Sequence, residues 1–307
     1  FFFKQKPAYE IPKRDWSSDV CSSDLEAPMP TRARTRAAEV RSCEDHKTEI
    51  LVIGGGILGS SCALALASLG IDTLVVERDE PNLQASGANA GSLHVQLLSF
   101  DFGDKAQAGG GPAAQTLVLG PPAIALWREI EAASGTDLEI RTTGGLMVAE
   151  TPRDMAFLAA KTALERSYGV ECETIGANDL RNLAPALSEK LIGAAWCPSE
   201  GKINPATATY AVVRLAEAKG ARFLSGVEVV AIEREGTDFR VVTGRGEIGC
   251  RRIVNAAGPW SPRIGRMLGV DVPVKGAPLQ IVVTTPDRKS TRLNSSHVSE
   301  SRMPSSA

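Results

Sequence analysis

Histidine is scarce in this 307-residue chain, which has only His46, His94 and His297. That scarcity argues against a histidine-rich metal centre, and no metal site is expected. Six cysteines occur (Cys21, Cys43, Cys62, Cys172, Cys197 and Cys250), none in a C-x-x-C pair. Neither a zinc site nor a disulfide framework is indicated, and the usage matches a reduced, cytoplasmic protein. No apolar run approaches the roughly 20 residues that span a bilayer. A net charge of −2 leaves no one-signed surplus to attract nucleic acid or an anionic membrane. What is present is globular in kind: 43% hydrophobic and 23% charged residues, enough for one large domain or two medium ones.

Two stretches lack pattern altogether. Asp15–Leu25 reads DWSSDVCSSDL and Asp287–His297 reads DRKSTRLNSSH, without apolar periodicity or caps. One DNA string translates to the second, and its reverse complement, in another frame, translates to the first. That string resembles a common sequencing-library adapter, and Lys4–Ile11 and Ser301–Ala307 extend the match. Residues 1–25 and 287–307 are therefore expected to be adapter-derived, disordered tails and are set aside from fold reasoning. Residues 26–47 read as a solvated leader. The native reading is expected to stop near Pro286, after a strand over Ala277–Thr285.

The strongest signal runs from Glu49 to Arg78. An apolar run, Ile50–Ile53, of buried parallel-strand type leads into Gly54-Gly55-Gly56-Ile57-Leu58-Gly59, a G-x-G-x-x-G turn. Ala and Leu then recur at helical spacing over Ser60–Leu69, stopped by Gly70, and a second strand, Thr73–Val76, ends on Glu77. Gly54 allows the tight turn, Gly56 lets backbone approach a pyrophosphate at the helix N-terminus, and Gly59 lets helix pack on strand. Glu77 stands where a carboxylate accepts the adenosine ribose hydroxyls, and it would repel a 2′-phosphate. A dinucleotide site follows, built from strand, turn, helix, strand and acid in order.

After Glu77 comes RDEPNLQASGANAGSLHVQ, with a small-residue loop at Ser86–Gly91 where a simple NAD-binding half would continue into a crossover helix. With this loop the chain resembles the FAD-dependent D-amino-acid oxidase superfamily, which includes glycine oxidase and sarcosine oxidase-like proteins. Gly145–Thr151 (GLMVAET) resembles a strand of that superfamily's substrate sheet. Gly201–Glu233 resembles its return into the FAD domain, with a helix at Ala206–Lys219, a strand at Arg222–Leu224 and Val-x-x-Ile at Val229–Ile232. Arg251–Ser261 (RRIVNAAGPWS) resembles the strand whose Ala-Ala-Gly turn closes over the cofactor.

The resemblance implies an α/β fold: a Rossmann-like FAD-binding domain with a βαβ unit and parallel sheet (48–100 and 204–265), and a second, mixed-sheet substrate domain (101–203 and 266–286) left incomplete at the C-terminus. It implies FAD as cofactor, contacted by Gly54, Gly56, Ile57, Leu58, Gly59, Glu77, Arg78, Ser86, Gly87, Asn89, Ala90, Gly91, Val229, Ala256, Ala257, Gly258 and Trp260. Oxidative deamination of an amine or amino acid is the implied activity, in which the flavin takes a hydride from a carbon bearing nitrogen. Oxidation of a 2-hydroxy acid is the alternative within flavoenzymes, and a non-catalytic dinucleotide-binding remnant the alternative outside them. His94 and Arg141 are the tentative substrate residues. Trp127 and Trp196 read as core. Covalent flavin attachment in the Ser86–Gly91 loop is not expected, since its candidate position is Asn89. The substrate and the electron acceptor stay open, and the chain as written is expected to be catalytically weak.

Overall fold

The protein is described by a computed structural model over residues 46–276. The two tails and the strand expected at Ala277–Thr285 lie outside these residues. In chain order the elements are β1 (His46–Ile53), α1 (Ile57–Ser68), β2 (Thr73–Glu77), β3 (Ser92–Leu93), α2 (Gly111–Ala114), α3 (Gly120–Ser134), β4 (Gly145–Ala149), α4 (Pro152–Ser167), β5 (Glu173–Gly176), α5 (Ala177–Leu183), β6 (Gly193–Cys197), β7 (Gly201–Lys202), α6 (Pro205–Ala218), β8 (Arg222–Ser225), β9 (Val229–Glu235), β10 (Asp238–Thr243), β11 (Gly246–Asn255) and α7 (Ser261–Met267).

The largest sheet has the order β8-β2-β1-β11-β10-β9. Its first four strands are parallel; β10 and β9 extend it antiparallel. Alternation along β1 and β2 sorts their side chains onto two faces. Leu51, Ile53, Leu74 and Val76 pack with Ile232, Val241 and Ile264 on one face. Ile50, Val52 and Val75 pack with Ala63, Ala67 and Ala216 of α1 and α6 on the other. Both faces are covered, which is why these strands read as continuous apolar runs. Ala63 and Ala67, four residues apart on the buried face of α1, let it lie close on the sheet.

A three-stranded sheet, β4-β6-β5, is antiparallel throughout its described strands, so mixed pairing belongs to the larger sheet. A separate two-stranded antiparallel sheet pairs β3 with β7. The sequence reading missed α4 and α5. Thr151, read as the end of a strand, is the N-cap of α4, where Thr151 and Asp154 form a capping box ahead of Pro152. Gly120-Pro121-Pro122 is a helix start: the prolines occupy the first turn of α3, where no amide donor is needed. Helix α1 begins at Ile57 rather than Ser60, because Gly56 is already its N-cap. Strand β1 begins at His46, two residues ahead of the expected domain start.

Candidate functional site

Where β1, β2 and β11 end at their carboxyl edges, the chain makes three close approaches. Gly54 (φ +112°) turns out of β1, and a Cβ there would meet the Ala256 carbonyl oxygen at 2.4 Å. A Cβ on Gly59 would meet the Gly54 oxygen at 1.9 Å, and one on Gly56 would meet Ser86 Oγ at 2.9 Å. These contacts hold the N-terminus of α1 against the sheet. The first turn of α1 carries no acidic residue and Gly56 offers no side-chain cap, so the positive end of the helix is available to an anion.

A cavity of about 300 Å³ opens here. Of the residues expected at the cofactor, Gly54, Gly56, Ile57, Leu58, Glu77, Arg78, Ser86, Val229, Ala256, Ala257, Gly258 and Trp260 line it. Glu77 Oε2 accepts the Gly55 amide (2.7 Å) and Oε1 the Asp79 amide (3.0 Å), so the carboxylate is fixed by the turn it faces. Ser86 Oγ accepts the Ile57 amide at 2.9 Å and fixes the small-residue loop to α1. The Arg78 guanidinium lies 3.8 Å from the Trp260 ring centroid, a cation–π contact, and its Nη2 is buried without a hydrogen-bond partner. That orphaned donor in the wall fits a bound polar group, since burying it unpaired costs free energy. The sequence reading did not include Gln84, Glu228 or Arg263, which also line the cavity.

The remaining expected residues lie elsewhere. Gly59 is packing, as above. Gly87 sits under the Asn82 backbone, where a Cβ would meet its oxygen at 2.1 Å. Asn89 is engaged inside its own loop, donating to the Ala85 and Ser86 carbonyls and accepting from the Gly91 amide. Ala90 does not line the cavity, and Gly91 packs on Ile203, whose amide donates to it at 2.7 Å. The small size of Gly87 and Gly91 thus has a structural use that spacing alone does not show.

His94 and Arg141 are also outside the cavity. His94 Nδ1 lies 3.8 Å from Glu200 Oε1. Glu200 was not anticipated. Its Oε1 accepts the Val95 and Gln96 amides, each at 2.7 Å, while Oε2 accepts Gln96 Nε2 at 3.2 Å. The next amide, Leu97, donates to Glu165 Oε1 at 2.7 Å, and Lys161 pairs with the same carboxylate. Two buried acids therefore clamp three consecutive amides on the segment that leaves β3. In the sequence, Lys161 and Glu165 look like a solvated i,i+4 pair on a helix. Trp127 and Trp196 pack on the cores, as expected.

Its interaction with Glu200 raises the His94 pKa from the ordinary 6.5, against the opposing effect of burial. Burial by itself would push the Glu200 carboxyl up, but His94 and the Gln96 and Val95 amides outweigh it and hold the group below its usual range. With His94 raised in the folded state, its contribution is full below about pH 6.5 and is lost as pH rises through the raised value. Thermal midpoints should accordingly fall between pH 6 and pH 8 by a margin that His94→Gln removes. An identical pH dependence in the variant would show the pair to be inert.

Among the described residues no helix is long and apolar enough to cross a membrane, and no metal-ligating cluster forms. Cys172, Cys197 and Cys250 are buried free thiols, and Cys62 is half-buried. Burial first, then Glu165, pushes the Cys172 thiol up to about 12, so it is unreactive.

The mouse sarcosine dehydrogenase, a mitochondrial protein, is 28% identical over 242 residues, 76% of this chain and 25% of its own. Glycine oxidase of Bacillus licheniformis is 29% identical over 242 residues, 76% of this chain and 61% of its own. Glycine oxidase from Geobacillus kaustophilus has a solved structure that superposes with a TM-score of 0.63 at 24% identity, covering 73% of this chain and 59% of that one, which shows the fold. The chain thus spans from a quarter to under two thirds of the length of these relatives. A family profile described as "DAO: FAD dependent oxidoreductase" matches residues 49–305. With the glycine-rich turn, the fixed Glu77 and the Ala256–Gly258 closure all in one cavity wall, this match places the chain in the DAO family of FAD-dependent oxidoreductases.

Proposed function

We propose that this protein is an FAD-dependent oxidoreductase that oxidises the carbon–nitrogen bond of an amine or amino acid, and that residues 46–276 hold the dinucleotide end of the cofactor. The observation that carries the reading is the cavity itself: a helix N-terminus, a fixed carboxylate and an orphaned arginine donor meet in one apolar-walled space. Bound flavin supplies the electron acceptor for the carbon–nitrogen bond.

The chain's own residues bind and orient. Gly54 and Gly56 leave room for a pyrophosphate at the α1 N-terminus. Glu77 uses one lone pair on each oxygen to hold the turn and keeps the others for ribose hydroxyls. Arg78 Nη2 gives the wall a charged donor, and Trp260 holds the guanidinium flat. Val229, Ala256, Ala257 and Gly258 close the space with small or apolar surface. Gly59, Gly87, Asn89, Ala90 and Gly91 shape the backbone around it.

The test is flavin affinity. Glu77→Gln keeps the shape but removes the charge, and should weaken FAD binding by roughly 10–100-fold, the worth of hydrogen bonds to a charged group. Quenching of FAD fluorescence on titration with wild type and variant measures this. Tighter binding of NAD than of FAD by the wild type would overturn the assignment. The small-molecule amine or amino-acid substrate is examined by flavin bleaching with candidate compounds under anaerobic conditions. A cytoplasmic location is supported by the unpaired buried thiols.

A further inference from the structure

We infer that Glu228 and Arg263 form a base-reading pair at the rim of the cavity, and that they select adenine, through its exocyclic amine, over a purine that carries an oxygen in its place. The inference rests on the dinucleotide reading of the cavity and refines it.

The cavity has an apolar floor. Ile53, Val76, Val227, Val229 and Ile264 line it, and all five are buried in one core cluster. They come from β1, β2, the β8–β9 loop, β9 and α7. Aliphatic side chains converging from five segments suit the face of a flat ring, and a few placed polar groups then fix its orientation. Two polar residues flank this floor. Glu228 lies between Val227 and Val229 in the chain, Arg263 precedes Ile264, and both line the cavity. Arg263 Nη1 donates to Glu228 Oε1 at 2.9 Å, which ties α7 to the start of β9.

The loop that carries Glu228 is fixed to the strand end that carries Glu77. The Val227 amide donates to the Glu77 carbonyl and the Gly226 amide to the Asp79 carbonyl, each at 2.8 Å. From the other side, the Gly244 amide donates to the Glu228 carbonyl at 3.1 Å. Arg263 occupies one carboxylate oxygen, and among the described residues Glu228 Oε2 accepts no hydrogen bond. An ionised carboxylate only accepts. An exocyclic amine offers it a donor, whereas a carbonyl oxygen there would set lone pairs against negative charge. A site built to hydrogen-bond a ligand N–H rejects the analogue that lacks it. Glu228 is thus the reading group, and Arg263 is the positioning residue that fixes its carboxylate. About half of each side chain is exposed, so the ion pair contributes little to stability and its loss leaves the fold standing.

The experiment uses the full chain and isothermal titration calorimetry with ADP and inosine diphosphate, which differ in that exocyclic group, amine against carbonyl. Wild type should bind ADP about tenfold more tightly than inosine diphosphate. Glu228→Gln can turn either its oxygen or its nitrogen to the base, and should bring the ratio below about threefold. Arg263→Gln should lower the ratio in the same direction, and Arg263→Lys should retain more of it. Arg252→Gln breaks an exposed ion pair with Glu49, residues that do not line the cavity, and should leave the ratio unchanged. A merely structural role would weaken both diphosphates together and preserve the ratio in Glu228→Gln, which would overturn the pair, as would a wild-type ratio near one. FAD titration by fluorescence quenching separates the two readings. Wild type that binds FAD without distinguishing the diphosphates overturns the base-reading pair alone, and wild type that binds neither FAD nor ADP overturns the dinucleotide reading with it.

Discussion

Lys161→Met should lower unfolding free energy by about 3–5 kcal/mol, the cost of leaving a buried charge without its partner. Lys161 and Glu165 are both 0% exposed, so the carboxylate abandoned by the substitution has no water to turn to. Glu165 also holds the Leu97 amide and lies 3.5 Å from Cys172 Sγ, so the damage reaches the segment leaving β3. Methionine fills the stem's volume, which isolates the loss of charge from the loss of packing. Adding Glu165→Gln makes the pair neutral while keeping an acceptor for Leu97, and the double variant should recover at least half of the loss. Urea denaturation followed by circular dichroism gives the three values. A single-variant cost below about 1 kcal/mol would mean that the pair is hydrated in solution and clamps nothing.

Gly59→Val should abolish measurable FAD binding. Even one methyl group at this position would lie 1.9 Å from the Gly54 carbonyl oxygen, against backbone that cannot rotate away. Helix α1 would have to lift off the sheet, carrying its N-terminus away from the cavity, and the Ser86 contact to Ile57 would go with it. The control is Gly70→Ala at the other end of the same unit. Gly70 has φ +74° but nothing within 4 Å of a Cβ, so the cost is conformational, about 1 kcal/mol, with flavin affinity unchanged. Fluorescence titration of both variants separates overlap from strain. Wild-type affinity in Gly59→Val would show that the helix need not seat closely to bind the cofactor.

The contrast between these two sites tracks what could be read in advance. The β1–α1–β2 unit and Glu77 are legible because their determinants lie within about thirty residues and each has a local cause. A buried strand needs apolar residues on both faces, a tight turn needs Gly54, close packing needs Gly59, and Glu77 ends the second strand. The Ala256–Gly258 closure was legible by resemblance. Helix α4 was not, since its periodicity is weakened by Lys161, Thr162 and Glu165, all of which are buried. Those polar residues read as solvated until their partners at Gln96 and Leu97 are brought to them. The glycines of the Ser86–Gly91 loop were read as making room for the cofactor, whereas Gly87 and Gly91 lie against Asn82 and Ile203, neighbours that only the fold brings to them.

By itself, then, the sequence determined the β1–α1–β2 unit with its glycine turn and Glu77, because short-range sterics and strand burial leave one way to satisfy that spacing, and the family was legible by resemblance. Tertiary structure alone decided the Glu200 and Glu165 clamp. Each joins residues drawn from distant segments, and whether a charge is solvated, paired or left facing a ligand depends on what surrounds it once the chain has closed.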